Sequence, residues 1–207
     1  MKKIFFTLLG VLLFCIAGSA QIEAGVMASG NLDFSFGTTV LKAKNPQAGY
    51  SVGLFGRYLF PKTLQGGLLF GEVDALFTSS GTRLAQESKD LKVGYFGIDV
   101  PLLVGYRKPI GNGFACSLSL GGAIAIPVDT HLDWMAFRQA RLSSWGSSSE
   151  PHLRGIVEAG LSYDRVECKL RYAHQLSGTT FYYKGADDSA NHLVGSALQL
   201  MLGIRLF

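Results

Sequence analysis

Strict alternation is the feature that most constrains this chain. In "GFACSLSLGGAIAIPV", residues 113 to 128, one register carries Phe114, Cys116, Leu118, Leu120, Ile124, Ile126 and Val128, with Gly122 its one gap. The positions between hold Ala115, Ser117, Ser119, Gly121, Ala123 and Ala125. A period of two belongs to a β-strand whose two faces meet different surroundings. Eight such segments run at approximately 22–36, 48–60, 66–78, 92–107, 114–128, 153–164, 166–176 and 192–206. Each is long enough to cross a bilayer at a tilt, which takes about 9–11 residues. The connections after the second, fourth and sixth segments are tight ("PKTLQ", "KPIGNG", "DR"), whereas the others are long. This layout predicts an all-β fold, an eight-stranded antiparallel transmembrane β-barrel with short periplasmic turns and long extracellular loops.

A soluble barrel also has one apolar face, so the distribution within each face decides the matter. On the apolar register, Phe34, Phe36, Tyr50, Phe77, Phe96 and Tyr172 fall toward the long-loop ends, and Tyr58, Phe60, Tyr106, Phe114 and Tyr163 toward the short turns. Aliphatic residues such as Leu54, Val73, Leu102, Leu120, Val157 and Leu170 fill the band between. Two aromatic girdles around an aliphatic belt are what two membrane interfaces select, because amphipathic rings settle at headgroup level. The opposite register carries Glu23, Asp33, Arg57, Glu72, Asp74, Asp99, Arg154, Glu158, Glu167, Lys169, Arg171 and Arg205, set mostly among Gly, Ala and Ser. The interior of an eight-stranded barrel is only just wide enough for side chains. The greasy face is therefore expected outside, in lipid, with the charges pairing in the lumen.

The first residues agree with export. "MKKIFFTLLGVLLFCIAGSAQ" has Lys2 and Lys3, an apolar run, and small Gly18 and Ala20, the pattern of a secretory signal peptide cut after Ala20. Residues 1–20 are thus expected to be removed and 21–207 to form one barrel domain. Beyond residue 20, 17 Lys and Arg face 15 Asp and Glu, and the cations are scattered singly, which argues against nucleic acid. Cys116 and Cys168 have neither CxxC nor zinc spacing and read as small apolar fillers, with a disulfide as the alternative. Pro101 falls mid-strand, where a closed sheet has no free edge, so a β-bulge is expected there. Phe207 falls in register with Arg205 rather than with Leu202, Ile204 and Leu206.

The export signal, "FGIDVPLLVGYR" (Phe96 to Arg107), "LRYAHQLSG" and the "LQLMLGIRLF" terminus resemble the PorT-like outer-membrane β-barrel proteins of Bacteroides-type Gram-negative bacteria. The resemblance covers essentially the whole chain beyond the signal, on short and mostly structural motifs. It implies a location in the bacterial outer membrane and insertion by the outer-membrane assembly machinery, and supplies no activity.

Candidate chemistry is sparse. His174 and Ser177 in "HQLS" are the residue types of lipid A deacylases, yet residues three apart on a strand point to opposite faces, away from hydrogen-bond reach. His131, His152 and His192 lack metal-ligand spacing, and no phosphate-cradling Gly loop appears, so no catalytic residue, cofactor or metal is expected. The loop 129–152 is the most informative. Thr130 and Asp133 read as the capping box of a short helix toward whose favourable end Arg138 and Arg141 fall. With Trp134, Phe137 and Trp145 this loop reads either as a self-packed lid over the barrel mouth or, together with Phe181, Tyr182 and Tyr183 of the 178–191 loop, as a candidate contact surface of rigid aromatic anchors and arginines. The sequence thus reads as a small non-enzymatic barrel that anchors and presents extracellular loops. Its partners would be outer-membrane lipid and lipopolysaccharide, and a protein or glycan at the loops. The alternatives are a lipid-modifying enzyme, which needs a lipid-accessible His with Ser or Glu on one face, and a component of a secretion or assembly complex.

Overall fold

The computed structural model describes residues 22–36, 42–44, 46–86, 89–133, 145–147, 151–176, 179–183 and 191–207. The signal-peptide residues lie outside this set, as do Trp134, Phe137, Arg138 and Arg141. In chain order the strands are β1 (Ile22–Phe36), β2 (Lys42–Lys44), β3 (Gln47–Leu64), β4 (Gly67–Gln86), β5 (Lys89–Gly111), β6 (Phe114–Asp133), β7 (Trp145–Ser147), β8 (His152–Tyr163), β9 (Val166–Gln175), β10 (Thr179–Tyr183) and β11 (Asn191–Arg205).

Eight of them, β1, β3, β4, β5, β6, β8, β9 and β11, pair antiparallel in that order, and β11 closes on β1 from Gly25↔Arg205 to Phe36↔Val194. Stepping across partners from Ala24 through Gly56, Val73, Leu102, Gly122, Gly155, His174 and Ser196 returns to β1 at Phe34, ten residues along. That stagger tilts the strands, as closure of a sheet requires, and brings residues distant in sequence to the same level of the lumen.

Alternation converts directly into inside and outside. Leu120 is 66% exposed on the outer face, while its neighbour Ser119 is 3% exposed in the lumen. The outer belt holds Leu54, Val73, Leu102, Leu118, Val157 and Leu170, all exposed, between rings such as Tyr50, Phe77 and Phe96 at one end and Tyr58, Phe114 and Tyr163 at the other. Phe114 and Tyr163 sit on paired strands with ring centroids 4.5 Å apart. Cys116 and Cys168 are free and exposed on this face, each paired with Leu161 from opposite sides. Two strand spacings, roughly 10 Å, separate them, beyond the reach of a disulfide.

The tight connections are two-residue turns at Gln65–Gly66, Asn112–Gly113 and Asp164–Arg165. Gln65 and Gly66 have φ of 48° and 79°, and Asn112 and Gly113 of 51° and 80°, the doubly left-handed backbone of a type I′ hairpin. The strands therefore run past the predicted turns: Pro61–Leu64 belong to β3, with a register shift between Leu59 and Thr63. β5 likewise continues through Pro109 to Gly111.

Three expectations are corrected. Pro101 causes no bulge: its ladder to β6 is continuous, and the ladder to β4 merely skips between Val73↔Leu102 and Leu76↔Asp99 and resumes in the same register. A missing N–H removes a rung without displacing the strand. Thr130 and Asp133 cap no helix, because β6 continues through them and pairs Thr130 with Tyr95 and Asp133 with Lys92. The terminal register question dissolves: β11 ends at Arg205, Leu206 and Phe207 are both exposed, and the Phe207 carbonyl accepts the Ala24 N–H at 3.0 Å.

Candidate functional site

The lumen is filled by a network that the sequence had supplied only as a list of charges. Arg57 donates to Glu72 and bidentately to Glu167, with distances of 2.8 Å to Glu167, and reaches Glu23 at 2.8 Å. Lys169 lies 2.5 Å from Glu72 and 3.3 Å from Glu158. Arg171 bridges Asp74 and Glu158, each at 2.6 Å. Arg205 and Arg107 both reach Glu23 Oε1, at 2.6 and 2.8 Å. Toward the long-loop end, Arg154 pairs with Asp99 at 2.8 Å, and the Thr78 hydroxyl donates to the same carboxylate. These charged side chains face inward, in two tiers.

Apolar bulk seals what the ions leave. The Arg57 guanidinium lies 4.8 Å from the Phe70 ring centroid and 5.6 Å from that of Phe55, and the Lys169 ammonium lies 5.3 Å from Phe55. Met27, Phe55, Leu76 and Met201 cluster in the lumen, and Leu103, Ile156, Ala123 and Ala173 form a second cluster. Beside the small residues that the sequence places on this face, such as Ser51, Ser119, Ala125 and Ala173, the lumen thus also takes in large apolar side chains that the sequence reading did not single out. Small residues line the wall where the chain passes close, and large ones fill the centre, since a buried ion pair needs its surroundings packed and its hydrogen bonds complete.

The predicted contact residues divide. Trp134, Phe137, Arg138 and Arg141 lie outside the described residues. Trp145, Phe181, Tyr182 and Tyr183 belong to strands: β10 pairs β7 through Tyr183↔Trp145, Tyr182↔Gly146 and Phe181↔Ser147, and pairs β11 through Phe181↔Asn191. Trp145 and Tyr183 therefore occupy one cross-strand row, with Phe181 at the same parity of β10.

One arrangement escaped the sequence reading. His174 Nδ1 lies 2.8 Å from Ser196 Oγ, which also accepts from the Tyr172 hydroxyl at 3.2 Å. His174 and Ser196 are partners across β9 and β11, at the outer-face parity. The lipid-facing His with Ser that seemed absent is present, joined across strands rather than within "HQLS". Its outer-face neighbours among the described residues, Gly155, Tyr172 and Leu176 about His174 and Phe34, Val194 and Leu198 about Ser196, include no acidic residue, and Ser196 is only 5% exposed.

No protein-family signature matches the chain, and no curated protein does. Among solved structures it is similar to the outer membrane protein OprG from Pseudomonas aeruginosa, at 14% identity over 90% of this chain and 96% of that one, with a TM-score of 0.57. Further matches are the outer membrane enzyme PagL, at 14% identity over 84% and 97% with a TM-score of 0.43, and Ail, the attachment invasion locus protein of Yersinia pestis, at 13% over 90% and 99% with 0.39. At such identities the likeness is one of fold. The chain has the fold of the small eight-stranded β-barrels of the bacterial outer membrane.

Proposed function

We propose that the protein is a non-transporting outer-membrane anchor whose working surface is the set of strands and connections standing beyond the barrel at the extracellular end. On this reading, residues 1–20 direct export and are removed, the assembly machinery inserts the remainder, and a protein or glycan is recognised outside the cell. The observation that carries it is the two-tier ion network, which occupies the lumen and leaves a passage no room. The resemblance to PorT-like proteins supports the same reading and admits membership of a secretion or assembly complex. The test is purification of the native protein from outer membranes after cross-linking, with and without residues 134–150. A partner lost on excision, with the barrel still folded, supports the reading; the same partner retained overturns it.

A second reading, a lipid acyl hydrolase, is favoured by one observation, the His174–Ser196 contact on the outer face. The absence of an acidic outer-face neighbour among the described residues and the cover over Ser196 place it second. Labelling of the folded barrel by a serine-directed fluorophosphonate, abolished by Ser196→Ala, would reverse the order.

A further inference from the structure

The lower tier of the ion network is balanced as a whole but not along its length. Deep in the lumen, Lys169 and Arg171 meet three carboxylates, those of Glu72, Asp74 and Glu158. At the short-turn end the order reverses. Arg57, Arg107 and Arg205 converge on Glu23, and Glu167 is the second carboxylate within reach of Arg57 and Arg205. The two groups cancel, and the positive surplus stands at the mouth, where Arg107 and Arg205 keep 16% and 15% of their side chains exposed. Lys108, Asp164 and Arg165 are exposed on the turns beyond, and none of them pairs with these groups among the described residues.

Donors are in surplus there as well as charge. A guanidinium carries several N–H groups in a rigid fork. Arg205 gives Nη1 to Glu23 Oε1 at 2.6 Å, while its buried Nε lies 3.4 Å from Glu167 Oε1 without a hydrogen bond. Arg107 gives Nη1 to the same Glu23 oxygen at 2.8 Å and makes only a long bond, 3.3 Å, from Nη2 to Ser162. The Phe207 main-chain oxygen is engaged by the Ala24 N–H. Two guanidiniums drawn onto one carboxylate oxygen repel each other, and their spare donors keep the geometry that grips an oxyanion. A recess lined by Arg57, Arg107, Ser117, Ser162, Glu167 and Lys169 opens beside them. These side chains stand at the lumen parity, out of reach of membrane lipid, and the filled interior above them limits a guest to one small group.

We propose that the short-turn mouth of the lumen is a binding site for one small oxyanion, a phosphate or a carboxylate, held between Arg107 and Arg205. The anion supplies the charge that Glu23 alone does not provide for three guanidiniums. It enters from the aqueous phase at the short-turn end, so the site is independent of any partner recognised at the opposite end of the barrel.

The folded protein in neutral detergent is titrated with inorganic phosphate, with acetate and with a short N-acetylated peptide charged only at its terminal carboxylate, each against chloride at equal ionic strength, while the arginine side-chain N–H resonances are followed. Expected are saturable shifts at Arg107 and Arg205 with phosphate or acetate that chloride does not produce. Arg205→Gln is expected to weaken binding at least about fivefold, read at Arg107. Arg205→Lys, which keeps the charge and loses the fork, is expected to weaken it about threefold, and it serves where Arg205→Gln loses its heat-modifiable gel mobility. Glu23→Gln is expected to tighten binding at least about threefold, because it removes the internal competitor for the same donors. Lys108→Gln, on the turn beyond, is expected to bind as the native protein. A response to the peptide as strong as to acetate assigns the anion to a polypeptide, and a response to the free ions alone assigns it to a solute. Shifts no larger than those with chloride, unchanged binding in both Arg205 variants, or binding that Glu23→Gln leaves unchanged or weakens, overturns the proposal.

Discussion

Arg205, on the last strand, donates to Glu23, on the first, at 2.6 Å across 182 residues of sequence, and Arg57 and Arg107 converge on the same carboxylate. Glu23 therefore ties four strands together at the seam where the barrel closes. Glu23→Gln would leave three guanidinium groups without their shared anion, although Arg57 keeps Glu72 and Glu167. Removing one partner from a buried ion pair costs about 3–5 kcal/mol, and the 13% exposure of the Glu23 side chain places the expectation at the lower end. The folded band on an unheated SDS gel should persist but convert to the unfolded form at a visibly lower temperature. An unchanged conversion temperature would show that the seam does not depend on this residue.

Leu120 and Ser119 are adjacent and face opposite media, so substitution distinguishes the two faces. Leu120→Arg places a charge in lipid, at a cost of about 2–4 kcal/mol near the bilayer midplane. Ser119→Thr adds one methyl group in the lumen, where the hydroxyl bonds Glu158 at 3.3 Å, and should cost about 1–2 kcal/mol through crowding. Folding yield into lipid vesicles should fall further for Leu120→Arg. Equal yields would reverse the assignment of inside and outside.

How much of this was legible beforehand follows from the range of the forces involved. The eight barrel strands, their faces and the lumen charges are written in local alternation, which a single strand reveals unaided. Which charges meet is set by the ten-residue stagger, and no local pattern encodes it; Glu23 finding Arg205 and His174 finding Ser196 are both consequences of register. β2, β7 and β10 are three to five residues long and owe their form to the strands beside them. Thr130 and Asp133 match a helix signal, but pairing with Tyr95 and Lys92 satisfies their backbone as strand, and tertiary pairing overrides propensity. Phe55 was hidden because it follows Leu54, so both registers look apolar at that point.

Cys116 and Cys168 provide a test of the lipid belt that leaves the backbone untouched. Both are exposed thiols at outer-face positions, separated by Leu161. A lipid-soluble maleimide should label both in the membrane-embedded protein, whereas a charged, water-soluble maleimide should label neither until the barrel is unfolded. Non-reducing gels should show no intramolecular disulfide. Labelling by the charged reagent in the folded state would place these strands outside the hydrocarbon.

The last expectation concerns conduction. Eight strands enclose an interior that side chains can fill, and here Arg171, 1% exposed, spans from Asp74 to Glu158 while Lys169 spans from Glu72 to Glu158. Screening reaches such pairs weakly, because even at about 1 M salt, where the Debye length is near 3 Å, the attenuation applies to charges with water between them. Planar-bilayer recordings should therefore show no stable single-channel steps at low salt or at about 1 M, the condition that would loosen a surface network. Lys169→Ala gives the matching variant. Glu72 and Glu167 keep Arg57 and Glu158 keeps Arg171, so the barrel should fold with lower heat resistance and stay shut, with the Phe55 and Phe70 rings still in the lumen. Large steps in the native protein would show that the charges line an open passage rather than fill it, and the anchoring role would give way to transport.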